Sequence, residues 1–288
     1  MGPVLELARG LSDRQLAAIA DLEARCHAAD GGRLKLEWTT LRSRDPDQVR
    51  DALRWDGDRL VGFAGVYSFG DPPEVTGMVD PAHRRRGIGS TLLDAALGVC
   101  AGLGAPTALL VVPDDPPGGR LLALARGGSF EYSEHALQLL GPPRTPPEGG
   151  PDVALRRRTP ADDADVARLL AAAFDRRPPV SHTPEAEAMA ARDASETWLV
   201  TVEGRTVGCL RLSPVDGGVG VYGFAVDPAL QGRGIGRRAL AAACRAAFAD
   251  GAALVHLEVA VDNEHALGLY TSLGFRPTAT EEYYRLAG

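Results

Sequence analysis

The stretch of sequence that decides the fold is residues 221–238, which read VYGFAVDPALQGRGIGRR. Its apolar start, residues 221–226, is typical of a buried strand, and Pro228 ends that strand because proline has no N–H group for a sheet ladder. A glycine-rich turn at residues 231–236 leads directly into an alanine-rich segment that predicts a helix. A strand, such a turn and a helix start aim several backbone N–H groups at one point, which is how a main chain binds phosphate.

The side chains of this turn also suit an anion. A Cβ at the glycine positions would hold an anion away from the backbone, whereas Arg233, Arg237 and Arg238 add positive charge around the same point. The loop residues expected to contact the ligand are Gln231, Gly232, Arg233, Gly234, Ile235, Gly236 and Arg237.

Three phosphate-binding patterns can be compared with this loop. A nucleoside-triphosphate P-loop ends in Gly-Lys-Ser/Thr, whereas Gly236 is followed by two arginines. A dinucleotide fingerprint reads G-x-G-x-x-G, and the last spacing here is one residue too short. The loop resembles the pyrophosphate loop of the GNAT acetyltransferase superfamily, Q/R-x-x-G-x-G/A, which Gln231, Gly234 and Gly236 match in full. A glycine-rich connection with no ligand would explain only one or two of the glycines.

The same motif occurs twice. Residues 79–89 read VDPAHRRRGIG and residues 226–236 read VDPALQGRGIG, so eight of eleven positions are identical at an offset of 147. Self-similarity at domain length indicates a duplicated domain, because solenoid repeats recur every 20–50 residues or so. The chain of 288 residues is long enough for two domains that each bury a core.

The resemblance therefore implies an α/β protein of two tandem GNAT folds, each a mixed twisted sheet flanked by helices. We expect a first domain at residues 1–140, a linker at 141–152 and a second domain at 153–288. The linker holds five prolines and three glycines in twelve residues, a composition that forms neither helix nor inner strand.

The remaining pattern predicts a similar order of elements in both halves. In the first half we expect strands at 4–8, 74–79, 108–112 and 131–140, a capping box at 12–15 that opens a helix, a hairpin around 56–58 and a helix from 89; residues 31–50 are ambiguous. In the second half we expect strands at 153–158 and 253–261, a hairpin around 203–206, closing strands from 275, and helices that begin at Thr159, Thr183 and Gly236 and span 264–273.

Composition excludes several classes of function. The formal net charge is −7, with 31 basic and 38 acidic residues, so no basic excess argues for a nucleic-acid partner. The longest apolar runs are far too short for a membrane span, and the N-terminus lacks the pattern of a signal peptide. We expect a cytoplasmic protein without membrane partners. Its oligomeric state is left open.

Cysteines and histidines indicate no metal site. The four cysteines lie far apart without a C-x-x-C pair, and the six histidines show no H-x-x-x-H spacing. We expect Cys26, Cys100, Cys209 and Cys244 to be buried reduced thiols.

A second GNAT-like signature, LEVAVDNEHALGLYTSLGF, occupies residues 257–275. Asn263 is a good helix N-cap by itself, and the resemblance implies that it also contacts the coenzyme A arm. Tyr270 has the spacing of a half-buried core tyrosine. The resemblance instead makes it the general acid that protonates the departing thiolate of acetyl-CoA, a role that typically contributes 10²–10⁴-fold.

The sequence pattern does not identify a single general base. Attack on a thioester needs a neutral amine, so some group must accept a proton. Glu258 stands twelve residues before Tyr270, the spacing found in the ribosomal-protein N-terminal acetyltransferases, a GNAT branch. An exposed strand residue would look the same, and Asp262, His256, Tyr222 and water stay open as alternatives.

The first half keeps the loop and loses the second signature. The resemblance implies that acyl-CoA contacts the strand end and loop of each half: Phe224, Ala225 and Val226 in the second; Met78, Val79, Arg84, Arg85, Arg86, Gly87, Ile88 and Gly89 in the first. Ala125 stands where Tyr270 would fall, and the segment 113–117 replaces the Asn263 region. We therefore expect a non-catalytic first domain, with Glu74 as the one carboxylate that argues otherwise.

The resemblance implies an acceptor that is an amine-bearing small molecule or a peptide N-terminus. Domain order and the closing EEYYRL at 281–286 are similar to those of the mycothiol synthases, tandem enzymes that acetylate the cysteinyl amine of a small pseudo-disaccharide thiol. Those enzymes carry a Glu early in the central strand, where this chain has Gly220. A non-catalytic acyl-CoA sensor is the alternative from another class.

Overall fold

The structure is a computed structural model that describes residues 4–174 and 195–287. The helix expected to begin at Thr183 lies outside the described residues. Two compact units are present: Met1–Glu134 with Ala279–Gly288, and His135–Thr278.

The first unit has helices on both faces of a mixed sheet with strand order β1-β2-β3-β4-β5-β12-β6. Its elements, some of which continue into the second unit, are β1 (Val4–Arg9), α1 (Asp13–Asp30), α2 (Trp38–Arg42), β2 (Val49–Asp56), β3 (Arg59–Tyr67), β4 (Glu74–Val79), α3 (Ile88–Gly102), β5 (Thr107–Pro113), α4 (Gly118–Ala125), β6 (Ser129–Leu139) and β12 (Arg276–Ala287). Two cores form, one under α1 and α2 around Phe63 and Tyr67, the other under α3 around Val61 and Leu92.

The second unit repeats this plan with strand order β6-β11-β10-β9-β8-β7. Its elements are β7 (Val153–Arg157), α5 (Asp163–Ala173), β8 (Glu196–Val202), β9 (Arg205–Val215), β10 (Gly218–Val226), α6 (Ile235–Ala249), β11 (Leu254–Ala260) and α7 (Glu264–Leu273). Helix α6 packs on one face of this sheet, where Leu240 and Cys244 meet Val221 and Leu257, and α5 packs on the other. The mixed α/β architecture is as predicted.

Local sequence signals explain most element boundaries. The Ser12 hydroxyl accepts a hydrogen bond from the Gln15 N–H, and the Gln15 side chain accepts one from the Ser12 N–H, which confirms the predicted capping box. The β8–β9 turn places Glu203 and Gly204 at φ of 49° and 75°, as a tight hairpin turn requires. Residues 31–50, left ambiguous by the sequence, contain the short helix α2.

Strands β6 and β12 each run from one unit into the other. In β6 the passage falls between Glu134 and His135, and in β12 between Thr278 and Ala279. The end of β12 pairs antiparallel with β5, with Tyr283 opposite Val111. The compact units therefore do not coincide with the predicted sequence halves at these two strands. No helix or strand interrupts residues 141–152, the predicted linker.

Candidate functional site

The central feature of the second unit is a pair of parallel strands that diverge. Strands β10 and β11 are paired only where Gly218, Val219 and Gly220 lie opposite Leu254, Val255 and His256. Beyond Gly220, β10 continues to Val226 with β9 on one side, where Ala225 lies opposite Cys209. The edge of β10 that faces β11 thus carries backbone N–H and C=O groups outside the sheet ladder, a row that an extended ligand can pair with as an added strand does.

A bulge precedes the end of this strand. The β9–β10 register shifts between Tyr222 and Ala225, and Gly223 between them has a φ of 54°. The Cys209 thiol donates to the Gly223 carbonyl oxygen at 3.8 Å. The bulge adds one residue to β10 and rotates Phe224, Ala225 and Val226, the expected ligand-binding residues, relative to the start of the strand.

The glycine loop after β10 has the geometry of an anion site. Gly232 and Gly234 adopt φ of 75° and 78°, and no atom lies within 4 Å of a Cβ built on either. Gly234 is the N-cap of α6, and no side chain caps this helix. The backbone N–H groups at the start of α6, from Ile235 to Arg237, therefore have no acceptor within the helix. They lie at its N-terminus, which carries a partial positive charge.

The polar side chains of this loop have different roles. The Gln231 amide donates to the Val226 carbonyl oxygen at 3.1 Å, which holds the loop against the strand end. Arg233 is exposed and Arg237 is half-buried. Arg238 does not face the loop as the sequence suggested: its guanidinium donates to the Pro147 carbonyl oxygen in the linker. Only two of the three arginines are therefore placed to add charge at the loop.

Tyr270 lies on α7 in the core formed with α6, and only 9% of it is exposed. Its ring packs at 6.1 Å from the ring of Phe275. Burial raises the pKa of the Tyr270 hydroxyl to about 12. The phenol therefore keeps its proton through the neutral and mildly alkaline range and is a donor there. Asn263 caps α7, its side-chain oxygen accepting from the Ala266 N–H at 3.1 Å.

The opposite face of the same sheet carries other titratable groups. Gly220 and His256 are register partners in a parallel pair, so residues 220, 222, 256 and 258 share a face. The His256 Nε2 lies 3.5 Å from a Glu258 carboxylate oxygen, and both side chains are largely buried. On β9, the Arg211 guanidinium lies 5.4 Å above the Tyr222 ring.

This face, on the side of α5, is polar near the diverging strands. Ser213 lies opposite Gly220, and its hydroxyl is hydrogen-bonded to that of Ser195. A Cβ on Gly220 would lie 2.8 Å from the Tyr222 hydroxyl oxygen, so the Tyr222 side chain fills the space beside Gly220. The sequence named Glu258, His256 and Tyr222 separately. Sequence analysis did not identify Arg211. That Tyr222, His256 and Glu258 share one face of the sheet follows only from the strand register.

The first unit keeps part of this geometry. Strands β4 and β5 pair only where Glu74 and Val75 lie opposite Leu109 and Leu110. Gly87 caps α3 with a φ of 79°, as Gly234 caps α6. Arg86 lies in the loop before α3 and Gly89 is the second residue of α3, whereas Met78 points into the core under α1. A diverging strand pair and an uncapped helix start are thus present in both units.

Two arginines distinguish the loop of the first unit. Arg85 adopts a φ of 61° at the position of Gly232, a conformation that costs a residue with a Cβ roughly 1–2 kcal/mol. The Arg84 guanidinium donates to the Val79 carbonyl oxygen at 3.1 Å and to the Asp30 carboxylate at 2.7 Å. Its charge is therefore neutralised by Asp30, which leaves Arg85 and Arg86 as the exposed cations of this loop.

The decayed second signature of the first unit still forms a helix. Helix α4 ends at Ala125, which is exposed, and has no side-chain cap at Pro117. Phe130 is 55% exposed, whereas Phe275 of the second unit is buried. The first unit has no phenol at the position of Tyr270.

The cysteines, clusters of possible metal ligands and apolar helices can be examined across the described residues. Cys26, Cys100, Cys209 and Cys244 are buried thiols without a disulfide, as predicted. Among residues 4–174 and 195–287 no three His, Cys, Asp or Glu side chains form a cluster that could hold a metal ion. Over the same ranges no helix has the length and apolar character needed to cross a membrane.

Two α/β units, each with diverging parallel strands followed by a glycine-rich loop and a glycine-capped helix, define a tandem α/β protein. The sequence matches the Acetyltransferase (GNAT) family at residues 16–123 and 164–275, so the chain belongs to this family of N-acetyltransferases. Members of the family use acetyl-CoA as the acetyl donor.

Curated relatives resemble the chain over nearly its whole length. A mycothiol acetyltransferase of Nocardia farcinica is 30% identical over 94% of this chain and 94% of that protein. Those of Clavibacter sepedonicus and Actinosynnema mirum are each 36% identical, covering 95% and 96% of this chain and 92% and 97% of those proteins.

Solved structures share the fold. A GCN5-related N-acetyltransferase from Sphaerobacter thermophilus superposes with a TM-score of 0.79 at 21% identity, covering 99% of this chain and 95% of that one. A tandem GNAT protein from the clavulanic acid biosynthesis pathway gives a TM-score of 0.68 at 17% identity, covering 99% and 98%.

Proposed function

We propose that the second unit transfers an acetyl group from acetyl-CoA to the primary amine of a small aminothiol of the mycothiol type. The observation that carries the site assignment is the divergence of β10 and β11 directly before a helix whose N-cap is Gly234 and which has no side-chain cap. An extended arm fits the open edge of β10, and a pyrophosphate fits the N–H groups of the loop. Bound acetyl-CoA would supply the acetyl group as a reactive thioester.

The residues that fit the coenzyme come from three elements. The strand end at Phe224, Ala225 and Val226 offers backbone groups for the arm, and the loop from Gln231 to Arg237 offers N–H groups and charge for the pyrophosphate. Asn263, at the start of α7, is placed to fix the arm. Glycine at 232 and 234 leaves the space that a Cβ would fill.

The two proposed catalytic groups lie on opposite faces of the sheet. Tyr270 belongs to the core under α6, whereas Glu258 lies on the face of α5. The gap between β10 and β11 is where the two faces open to each other. In this arrangement Tyr270 donates its proton to the departing sulfur, while Glu258 accepts the proton of the attacking amine, directly or through His256 at 3.5 Å.

The first unit is proposed to be non-catalytic. It has no phenol at the position of Tyr270, and the charge of Arg84 is taken up by Asp30. Its glycine-capped α3 is nevertheless compatible with a bound acyl-CoA phosphate, through Val79, Arg85, Arg86, Gly87, Ile88 and Gly89.

The polar face near Gly220 favours a hydroxyl-rich small acceptor. Ser195, Ser213 and Arg211 supply hydrogen-bonding groups beside the gap, as a sugar-containing acceptor needs. The mycothiol acetyltransferase relatives point to the same class. A peptide N-terminus is the second candidate, because Glu258 and Tyr270 have the spacing of ribosomal-protein N-terminal acetyltransferases.

Acetyl transfer to a panel of amines tests this proposal. The full-length protein and acetyl-CoA are incubated with a cysteinyl pseudo-disaccharide thiol or with short peptides, and acetylated products are quantified by mass spectrometry. We expect kcat/KM for the aminothiol to exceed that for peptides by about 10²-fold or more, because buried polar groups discriminate strongly. A preference for peptides would transfer the proposal to protein N-termini, and no transfer to either class would contradict it.

The base assignment has its own test. Glu258→Gln should lower kcat/KM about 10²-fold, whereas Asp262→Asn, an exposed position at the end of β11, should leave it near the wild-type value. Loss in Asp262→Asn with retention in Glu258→Gln would make Asp262 the base.

A further inference from the structure

Residue 35 is the only lysine in the sequence; the other 30 of the 31 basic side chains are arginines. It lies between α1 and α2 of the first unit and is only 9% exposed. Lysine is almost never this buried unless it is paired. All other basic side chains of the protein are arginines, so the lysine at this position stands out. Its compact ammonium group with three N–H donors fits a small site that is too small for a planar guanidinium.

The surroundings of Lys35 form a site for a primary ammonium group. Its Nζ donates to the Tyr283 hydroxyl oxygen at 2.7 Å and lies 3.3 Å from a Glu74 carboxylate oxygen. It lies at the hydroxyl edge of the Tyr283 ring, 5.1 Å from the ring centre. The Tyr283 hydroxyl donates in turn to Glu134 at 2.9 Å, which orients its lone pairs towards the amine.

The charges around this site favour a cation. Glu281 is 1% exposed and lies 3.4 Å from the Arg33 guanidinium. The cations Lys35 and Arg33 thus lie near the buried carboxylates of Glu74 and Glu281. Glu37, which pairs with Arg33, and Glu134, which pairs with the Tyr283 hydroxyl, are only partly buried. Removing one cation would leave buried carboxylates without compensation, which strongly disfavours an empty site.

The site borders the gap between the diverging strands of the first unit. A cavity of about 10 Å³, room for about one water, is lined by Lys35 and Glu281, by Thr76 and Gly77 of β4 and by Val112 of β5. These residues follow the last β4–β5 pair, Val75 opposite Leu110.

Strand register relates this place to the second unit. Glu74 lies between Tyr67 and Leu109, as Gly220 lies between Ser213 and His256. Leu109 corresponds to His256 at the repeat offset of 147 residues, so Glu74, the partner of Leu109, occupies the position of Gly220 on the corresponding face. The Lys35 ammonium, 3.3 Å from Glu74, therefore lies at the place that corresponds to the surroundings of Gly220 in the second unit.

We propose that the first unit contains a binding site for a primary alkylammonium ion and that the side chain of Lys35 is its resident occupant. The chain's own amine thus blocks the acceptor position of this unit. The term acceptor position rests on the proposed function, whereas the ammonium site itself rests on the contacts of Lys35.

Chemical rescue tests the site. Lys35→Ala removes three methylene groups and the amine, which n-propylammonium replaces. We expect the variant of the full-length protein to melt at a lower temperature than the wild type. Added n-propylammonium chloride should raise its Tm by roughly 2–4 °C in a saturable way and leave the wild type unchanged.

Two probes control for charge and for apolar contact. Tetramethylammonium chloride has the charge without N–H donors, and 1-propanol has the chain without the charge. Equal effects of n-propylammonium and either probe on Lys35→Ala, or equal effects of n-propylammonium on variant and wild type, would overturn the proposal. Acetyl transfer by the second unit is recorded separately, and its absence would count against the proposed function without altering the melting result.

A second measurement uses the wild type and does not depend on the folding of Lys35→Ala. Because Lys35 carries the only ε-amine, peptide mass mapping after reaction with an amine-acetylating ester distinguishes its acetylation from that of the chain's α-amine. We expect Lys35 of the native protein to react at least about tenfold more slowly than in denaturant, and Glu74→Gln to accelerate that reaction. A native rate equal to the denatured rate, or no change in Glu74→Gln, would refute the ammonium site.

Discussion

At the scale of single residues, the Tyr270 hydroxyl is the group with the sharpest consequence. Tyr270→Phe removes one oxygen and leaves a ring of the same size in the core under α6. We expect kcat to fall about 10²-fold, since a general acid of this kind contributes 10²–10⁴-fold, while Tm changes little. The measurement is turnover of the aminothiol with acetyl-CoA. Unchanged turnover would remove Tyr270 from the mechanism.

At the scale of elements, the start of α6 has a matched counterpart in α3. Gly234 and Gly87 have φ of 78° and 79°, and no atom lies within 4 Å of a Cβ at either position. Valine at either position imposes similar strain, about 1–2 kcal/mol. Only Gly234→Val should abolish acetyl transfer, because its side chain also displaces the pyrophosphate.

Calorimetric titration with acetyl-CoA and acetyl-transfer assays on the two variants distinguish the roles of the two loops. The Gly87→Val variant is the control for backbone strain and should retain turnover. Loss of turnover in Gly87→Val with retention in Gly234→Val would reverse the proposed roles of the two units.

At the scale of the whole molecule, β6 and β12 predict how the chain responds to cleavage. Each unit contains a strand segment from the far side of the linker: His135–Leu139 of β6 in the second unit and Ala279–Ala287 of β12 in the first. Cutting the exposed linker near Glu148 should therefore leave the two fragments associated.

Size-exclusion chromatography of the cut protein measures this. We expect one species under native conditions and two in denaturant, and residues 1–140 expressed alone should lack a cooperative melting transition because Tyr283 and its neighbours on β12 are missing. Two separate folded fragments would contradict the strand assignment.

Alkaline pH acts on stability through buried neutral groups. Burial raises the pKa of the Cys209 and Cys244 thiols from 9.0 to about 12, and that of Tyr270 from 10.0 to about 12. Because the folded pKa exceeds the unfolded value, this contribution is complete below pH 9 and is lost as the pH rises towards 12. Between its unfolded and its folded pKa, each group lowers the free energy of unfolding by up to about 1.4 kcal/mol per pH unit.

Urea unfolding at pH 8, 10 and 11 measures that loss. The free energy of unfolding should fall steeply above pH 9, and the Cys244→Ala variant, although less stable at pH 8, should lose less than the wild type. A free energy that stays constant from pH 8 to 11 would show that these thiols are ionised without penalty.

The sequence by itself determined the features that depend on neighbouring residues. The glycine loops, the capping box at Ser12, the helix that Asn263 caps and the proline- and glycine-rich linker all follow from local backbone preferences and hydrogen bonds, and the repeated motif indicated the family and its duplication. Each of these motifs spans only a few residues, so it can be recognised without knowledge of the remainder of the chain.

Only the tertiary structure decided the features that depend on strand register. The bulge at Gly223 shifts β10 by one residue, and it thereby aligns Glu74 with Gly220 although the sequence repeat aligns it with Val221. The inclusion of the end of β12 in the first unit brings Tyr283 to Lys35, 248 residues away in sequence. Pairing across such separations is fixed by the packing of complete sheets, because a one-residue slip moves every side chain of a strand to the other face.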